Sequence, residues 1–262
     1  MSNTFKFDED TTRRMERMYP SPEVVAQRQL TLDMLHLQPG ETVLDIGCGP
    51  GFLVHEMAQA VTGSGAILGM DLSEAALAHA QRRCAEQAHV EFHLGEATAL
   101  PFGDAAFDAV AVTQVYEFVS DVDLALSELH RVLRPGGRAL VMDTDWWSVL
   151  WHSSDASRMR RILDAWDAHL VHPVLPRTLG QRLVRAGLAV SDRKVFPYLA
   201  WDLRLGSYAS GIAEMIRSFV PGRSGVTRAE TDAWYADLQS LADANSYFFC
   251  LSRYLFLAQK QA

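Results

Sequence analysis

The chain has 262 residues, 48% of them hydrophobic, and sets 24 basic against 32 acidic side chains for a net charge of −8. That apolar content supports a sizeable core in one α/β domain with an elaboration and excludes a largely disordered chain. The acidic balance argues against a protein built mainly to grip phosphate backbones, which needs clustered Lys and Arg.

Residues 1–20 are polar and charge-mixed and read as an arm over the domain, with Tyr19 placed to close over a ligand. MSNTFKFDED lacks the charged-then-apolar build of a signal peptide, and no uninterrupted apolar run approaches a membrane span. Cys48, Cys84 and Cys250 lie far apart with no pairing pattern, so the expectation is a soluble cytoplasmic protein in a reducing compartment. Ser21-Pro22-Glu23 predicts a helix start, by a serine cap, a first-turn proline and a carboxylate at the positive helix end. Pro39-Gly40 stops that helix near Leu37.

Alternation follows. Apolar strands are predicted at 43–46, 66–70, 89–93, 107–112 and 138–142, with helices at 52–61, 74–87 and 121–133. Arg134-Pro135-Gly136-Gly137 predicts a tight turn before the fifth strand. Strands joined by helices specify a doubly wound, mostly parallel sheet with right-handed crossovers. After Asp143 the texture becomes aromatic and helical: helices at 153–170, 177–187 and 206–244, with Thr227-x-x-Glu230 as a capping box. Strands at 190–198 and 247–257 fit an antiparallel edge pair, and residues 146–187 and 200–245 fit a helical cap. The run SRMRR at 157–161, followed by Arg177, Arg182 and Arg185, reads as a solvated helix face.

The chemistry concentrates at Val43-Leu44-Asp45-Ile46-Gly47-Cys48-Gly49-Pro50-Gly51. A strand that ends in G-x-G-x-G and opens a helix lets the backbone approach a ligand, because glycine has no side chain to block it and tolerates positive φ. A dinucleotide fingerprint is G-x-G-x-x-G; here the third glycine comes one residue early and Pro50 removes an amide donor, which does not suit a diphosphate. The nine residues resemble the first motif of the class I S-adenosylmethionine-dependent methyltransferases. Their companions are Gly69-Met70-Asp71, Gly95-Glu96-Ala97 through Phe102, Phe107-Asp108-Ala109-Val110, and Leu133-Arg134-Pro135-Gly136-Gly137-Arg138. Together they are similar to the small-molecule branch that includes the quinone C-methyltransferases, over about residues 30–145.

The resemblance implies a Rossmann-like fold with S-adenosylmethionine as cofactor, residues 1–20 as an arm and 21–262 as the methyltransferase domain. It implies that the turn with Gly47, Gly49 and Gly51 holds the methionine end, that Asp45 and Thr113 also belong to the cofactor site, and that Asp71 accepts from the ribose hydroxyls. Leu72 then packs beneath the adenine, and Glu96 and Ala97 meet its edge, Glu96 standing where the family usually has Asp. The site lies beyond the carboxyl ends of the strands. That selects Tyr116, Glu117, Asp143 and Asp145 as polar candidates, with Glu117 read first as a solvent-facing residue at a helix start.

Asp145, Tyr116 and His152, whose imidazole titrates near neutrality, are the expected catalytic groups. Trp146, Trp147, Tyr198 and Trp201 are the expected substrate contacts, because aromatic faces bind flat or cationic molecules. Two carboxylates without a third ligand do not make Asp143-Thr144-Asp145 a metal site. No Asn-Pro-Pro-Tyr stretch is present, and Gln114–Phe118 lacks the Arg-Asn pair usual in the quinone methyltransferases. The expectation is methylation of a small molecule on carbon, nitrogen or oxygen, with neither nucleic acid nor membrane as partner and with the oligomeric state open. The alternatives are an RNA or other macromolecule methyltransferase, a cofactor-binding regulator without turnover, and a nicotinamide dehydrogenase.

Overall fold

The computed structural model describes residues 6–261. The chain runs α1 (Glu9–Met18), α2 (Pro22–Leu35), β1 (Thr42–Ile46), α3 (Phe52–Ala60), β2 (Ala66–Asp71), α4 (Glu74–Arg83), β3 (Val90–Leu94) and β4 (Phe107–Thr113). It continues through α5 (Val122–Val132), β5 (Leu133–Thr144), β6 (Leu150–Trp151), α6 (Ala156–Trp166), α7 (Pro176–Arg185), β7 (Leu188–Ala200), α8 (Tyr208–Phe219), α9 (Arg228–Asp243) and β8 (Phe249–Lys260). The sheet order is β3-β2-β1-β4-β5-β8, with β7 on the outer edge of β8 and the two-residue β6 pairing beyond the end of β5. The pairs from β3 through β5 are parallel, and β8 runs antiparallel to both β5 and β7. This is the expected Rossmann-like sheet with an antiparallel edge pair.

Strand alternation sends apolar side chains to both faces, as a sheet covered by helices on two sides requires. Leu44, Ile46, Val110, Val112 and Val141 pack under α5 and α7. Val43, Ile67, Ala109, Ala111 and Leu140 pack under α2, α3 and α4. Each fully buried aliphatic side chain contributes about 1.5–3 kcal/mol of transfer free energy. A third core, built on Trp146, Trp151, Trp166, Trp234 and the apolar faces of α6, α8 and α9, forms the cap.

Four expectations change. Residues 9–18 of the expected arm form α1, capped by Asp8 accepting from the Thr11 amide, with Thr12 and Met18 buried. Residues 176–185 belong to the sheet layer rather than the cap: Leu179 and Leu183 of α7 sit in the same core as α5. The Pro135-Gly136-Gly137 segment extends the fifth strand back to Leu133, which pairs with Phe107, with Gly136 at φ 78°. Ser21 occupies the N-cap of α2 without a capping bond from its side chain, whereas Ser73 and Thr227 cap α4 and α9 as expected.

Candidate active site

Beyond the carboxyl ends of β1, β2 and β4 the sheet opens into a cleft. Its floor is the glycine turn. The amides of Gly47 and Cys48 both donate to the Met70 carbonyl, at 2.7 and 2.9 Å, which pins the turn to the end of β2. Gly51 has φ 80°, and a Cβ there would lie 2.8 Å from the Cβ of Ala80 and 2.9 Å from its Cα, so this glycine lets α3 lie against α4. Gly49 has φ 53°, and a Cβ there would meet nothing within 4 Å, because the residue faces the open cleft.

Asp71 stands at the end of β2. Its Oδ2 accepts from the Gly49 amide at 2.8 Å and its Oδ1 from the Ser73 amide at 2.9 Å. Each oxygen keeps a lone pair for a ligand hydroxyl. Burial raises the Asp71 carboxyl, and the amides of Ser73, Gly49 and Leu72 counter it. Asp45 is buried at the same wall, and its Oδ1 has no partner among the described residues. Burial first, and the nearby Asp71 charge second, raise it well above the usual carboxylate range. A buried oxygen without a partner beside an open glycine face is what a cleft built for a polar ligand presents.

Leu72, 64% exposed, lines the cleft together with Gly95, Ala97 and Thr113. Gly47 lines it as well, whereas Gly51 does not and serves the packing of α3 instead. Glu96 is exposed, makes an isolated bridge with Ala99 and stays off the cleft lining.

The roof comes from the N-terminal segment. Phe7, Thr12, Met15 and Tyr19 line the cleft from above. Ser73 Oγ donates to the Phe7 carbonyl at 2.6 Å, and Arg83 holds Glu16 of α1 through two bonds of 2.7 and 2.8 Å. Tyr19 stands where its position suggested.

A second chamber adjoins the first, and Phe7, Gln114, Phe118 and Arg253 line both. Gln114 carries φ 58°, a strained conformation for a non-glycine residue of the kind that gathers at functional sites. The inner walls are Trp146, Trp166 and His169 on one side and Tyr208, Ile212 and Met215 of α8 on the other. Glu117, expected to face solvent, is 1% exposed and forms part of this wall. Its Oε2 accepts from Trp146 Nε1 at 3.1 Å and the Thr144 amide at 3.3 Å. Burial pushes Glu117 up to about 7, against the lowering charge of Arg253. Asp143 lies deeper; burial and then the Glu117 charge hold it well above the carboxylate range. His169 stacks on Trp166 at 3.6 Å, and burial pushes it down to about 3, so it is neutral.

Several expected residues stand elsewhere. Asp145 lines neither chamber: Arg177 takes both its oxygens, at 2.7 and 3.1 Å, and its Oδ1 also accepts from the Trp147 amide. Tyr116 is fully buried in the sheet core behind the site. His152 is exposed beside β8, its amide bonded to the Phe248 carbonyl. Trp147 is 62% exposed and donates to Asp167 at 2.9 Å, and Trp201, 67% exposed, stands edge-on to Phe248. Tyr198 lies one layer behind the cleft, where its hydroxyl meets Gln27 and Arg253. Of the expected substrate contacts, only Trp146 faces the inner chamber.

Arg253 and Gln27 escaped the sequence reading. No motif surrounds either, and only the insertion of β8 between β5 and β7 brings Arg253 opposite Thr144 at the carboxyl end of β5. Among the described residues no group of three or more His, Cys, Asp or Glu side chains gathers as a metal site requires. None of the helices there is long and apolar enough to cross a membrane.

Comparison with known proteins agrees with this layout. The sequence model of the methyltransferase domain family matches residues 44–141, from β1 to β5. The 2-phytyl-1,4-naphtoquinone methyltransferase of Thermosynechococcus vestitus is 36% identical over 44% of this chain and 52% of its own length. The ubiquinone/menaquinone biosynthesis C-methyltransferase UbiE of Escherichia coli is 30% identical over 68% of this chain and 65% of its own. The chain spans about half the length of the first curated relatives it matches. In fold it is similar to the phosphoethanolamine N-methyltransferase 2 of Haemonchus contortus bound to S-adenosyl-L-methionine. That likeness has a TM-score of 0.63 at 18% identity over 97% of this chain and 57% of the other. The [4+2]-cyclase SpnF has a TM-score of 0.59 at 22% identity, over 91% and 81% of the two chains. From the glycine turn, the acid at the end of β2 and these matches, residues 44–141 are a methyltransferase domain, similar to the S-adenosylmethionine-dependent class I enzymes and to the quinone C-methyltransferases.

Proposed function

We propose that this protein transfers the methyl group of S-adenosylmethionine to a small-molecule acceptor enclosed beneath the cap. The observation that carries the reading is the adjacency of the two chambers: an open cleft faced by Gly49 and Asp71 shares Gln114, Phe118 and Arg253 with an aromatic pocket. Asp71 suits the ribose hydroxyls, and charge-assisted bonds there are worth roughly 1.5–3 kcal/mol each. Gly47 and Gly49 with Asp45 suit the methionine end, and Leu72 and Ala97 the adenine. When bound, the cofactor supplies a methyl carbon on a sulfonium, which a nucleophile takes by direct displacement as the carbon–sulfur bond breaks.

The chain's part is to hold the acceptor in line and exclude water. Phe7 and Phe118, edge to face at 5.1 Å, stand at the junction of the chambers, and α1 roofs both. The aromatic inner walls favour a flat, apolar acceptor, a description that fits the quinone-type compounds in the relatives' names. A cytoplasmic location belongs to the same reading. The test is transfer of radiolabelled methyl from S-adenosylmethionine into host extract split into small-molecule, RNA and protein fractions. Label is expected in the small-molecule fraction; label confined to RNA or protein overturns the acceptor class.

A further inference from the structure

The inner chamber holds two charged side chains of opposite sign that do not meet. Arg253 is 2% exposed, yet among the described residues no carboxylate lies within the 4.0 Å of an ion pair. Its partners are neutral: Nη1 donates to Gln27 Oε1 at 2.9 Å and to the Tyr198 hydroxyl at 2.6 Å, and Nη2 donates to the Tyr208 hydroxyl at 2.9 Å. The two tyrosine rings lie 4.5 and 4.9 Å from the guanidinium carbon and stack on each other at 4.1 Å, fixing the plane of the fork. Burial raises both tyrosine hydroxyls, so neither serves as the missing anion. Of the five guanidinium hydrogens, that on Nε and one on Nη2 remain unused, and Nε is buried without a partner. A buried cation satisfied only by neutral groups is costly unless an anion completes it. Glu117 stands in the wall of the same chamber, oriented by Trp146 and the Thr144 amide through one oxygen.

We propose that Arg253 receives the oxygen of an acceptor bearing a weakly acidic hydroxyl on an unsaturated carbon, a phenol or an enol, and that Glu117 takes that hydroxyl's proton. The inference rests on the methyl-transfer reading above. The O–H bond breaks, its proton passes to the Glu117 carboxylate, and the electron pair left on the conjugated oxygen is held by Arg253. That pair, on oxygen or delocalised to carbon, forms the new bond to the methyl carbon while the sulfur keeps the electrons of the broken bond. The groups facing Glu117 are Asp143 of β5, held well above the carboxylate range by burial and then by the Glu117 charge, Arg253 of β8, the neutral His169, Tyr208 of α8 and the buried Tyr116 beside it. Burial pushes Glu117 up to about 7, so it changes charge near neutrality.

The probe is 4-nitrophenol, titrated into protein saturated with S-adenosylhomocysteine and followed by its phenolate absorption band. Wild type is expected to bind the phenolate form, and to bind it more weakly as pH rises through about 7, where Glu117 loses its proton and repels the anion. Arg253→Met should weaken phenolate binding at least tenfold (about 1.4 kcal/mol) and weaken S-adenosylhomocysteine by a clearly smaller factor, since the side chain lines both chambers. Glu117→Gln should bind phenolate without the loss above pH 7. If Arg253→Met does not fold, Arg253→Lys, which keeps the charge without the fork, should retain part of the binding. Failure of wild type to bind the phenolate, equal binding by the Met variant, or a pH response unchanged in Glu117→Gln overturns the proposal. An equal or larger loss of S-adenosylhomocysteine affinity in Arg253→Met also overturns it, by assigning the arginine to the cofactor's own carboxylate. Failure of wild type to bind S-adenosylhomocysteine at all would sink the methyltransferase reading itself.

Discussion

Gly49 and Gly51 sit two residues apart in one turn, both at positive φ, and the same substitution should do different things to them. Alanine in the left-handed region costs about 1–2 kcal/mol at either position. At Gly51 the new methyl would also meet the Cβ and Cα of Ala80 at 2.8 and 2.9 Å. One of those atoms is backbone, so α3 or α4 must move, an overpacking cost of about 1–3 kcal/mol. The expected destabilisation is about 2–5 kcal/mol for Gly51→Ala and about 1–2 for Gly49→Ala, less the few tenths regained by restricting the unfolded chain.

For a chain of this size that corresponds to Tm losses of about 4–20 °C and about 2–8 °C respectively. Cofactor affinity should reverse the order. The methyl at Gly49 projects into the cleft, where a clash of about 1–3 kcal/mol weakens S-adenosylhomocysteine about 5- to 150-fold, whereas Gly51 does not line the cleft. Thermal unfolding and calorimetric titration of both variants decide the matter. Unaltered affinity in Gly49→Ala would mean the ligand does not cross that face, and an unaltered Tm in Gly51→Ala would refute the packing argument.

Asp71→Ala should lower S-adenosylhomocysteine affinity at least tenfold by calorimetry with the circular dichroism spectrum preserved, since about 1.5–3 kcal/mol rides on each charged hydrogen bond. Glu117→Gln should be more stable than wild type in alkaline buffer. The folded-state carboxyl is raised to about 7, so its contribution is fully present below the unfolded value near 4.5 and lost as pH rises through 7. Urea unfolding should show a gain of up to about 3 kcal/mol at pH 8–9 that vanishes below about pH 5. His152→Ala and Trp201→Ala should leave methyl transfer within about twofold, because both side chains are exposed away from the chambers and surface changes cost within about 0.5 kcal/mol. Arg177→Ala should leave the urea midpoint nearly unchanged, since half the side chain is exposed and solvent screens its pair with Asp145.

What the sequence carried was local. The order of strands and helices followed from apolar runs and their breaks, and the cofactor cleft from a glycine turn whose function depends on backbone angles over five residues. Asp71 was found because it ends a strand at a readable distance from that turn. The acceptor side resisted the same treatment. Asp145, His152, Trp147 and Trp201 have the right chemistry near the right strand in sequence, but Arg177 consumes the first and the other three turn to solvent. Glu117 looked like a solvent-facing helix start, until residues 146–170 folded over it.

Arg253 and Glu117 are separated by 136 positions and share a wall only because β8 enters the sheet antiparallel between β5 and β7. A glycine turn is specified by its own residues, since φ preference is a property of one residue at a time. A pocket assembled from the N-terminal helix, the end of β4, the cap and the last strand is specified by long-range packing, and no window of sequence contains it.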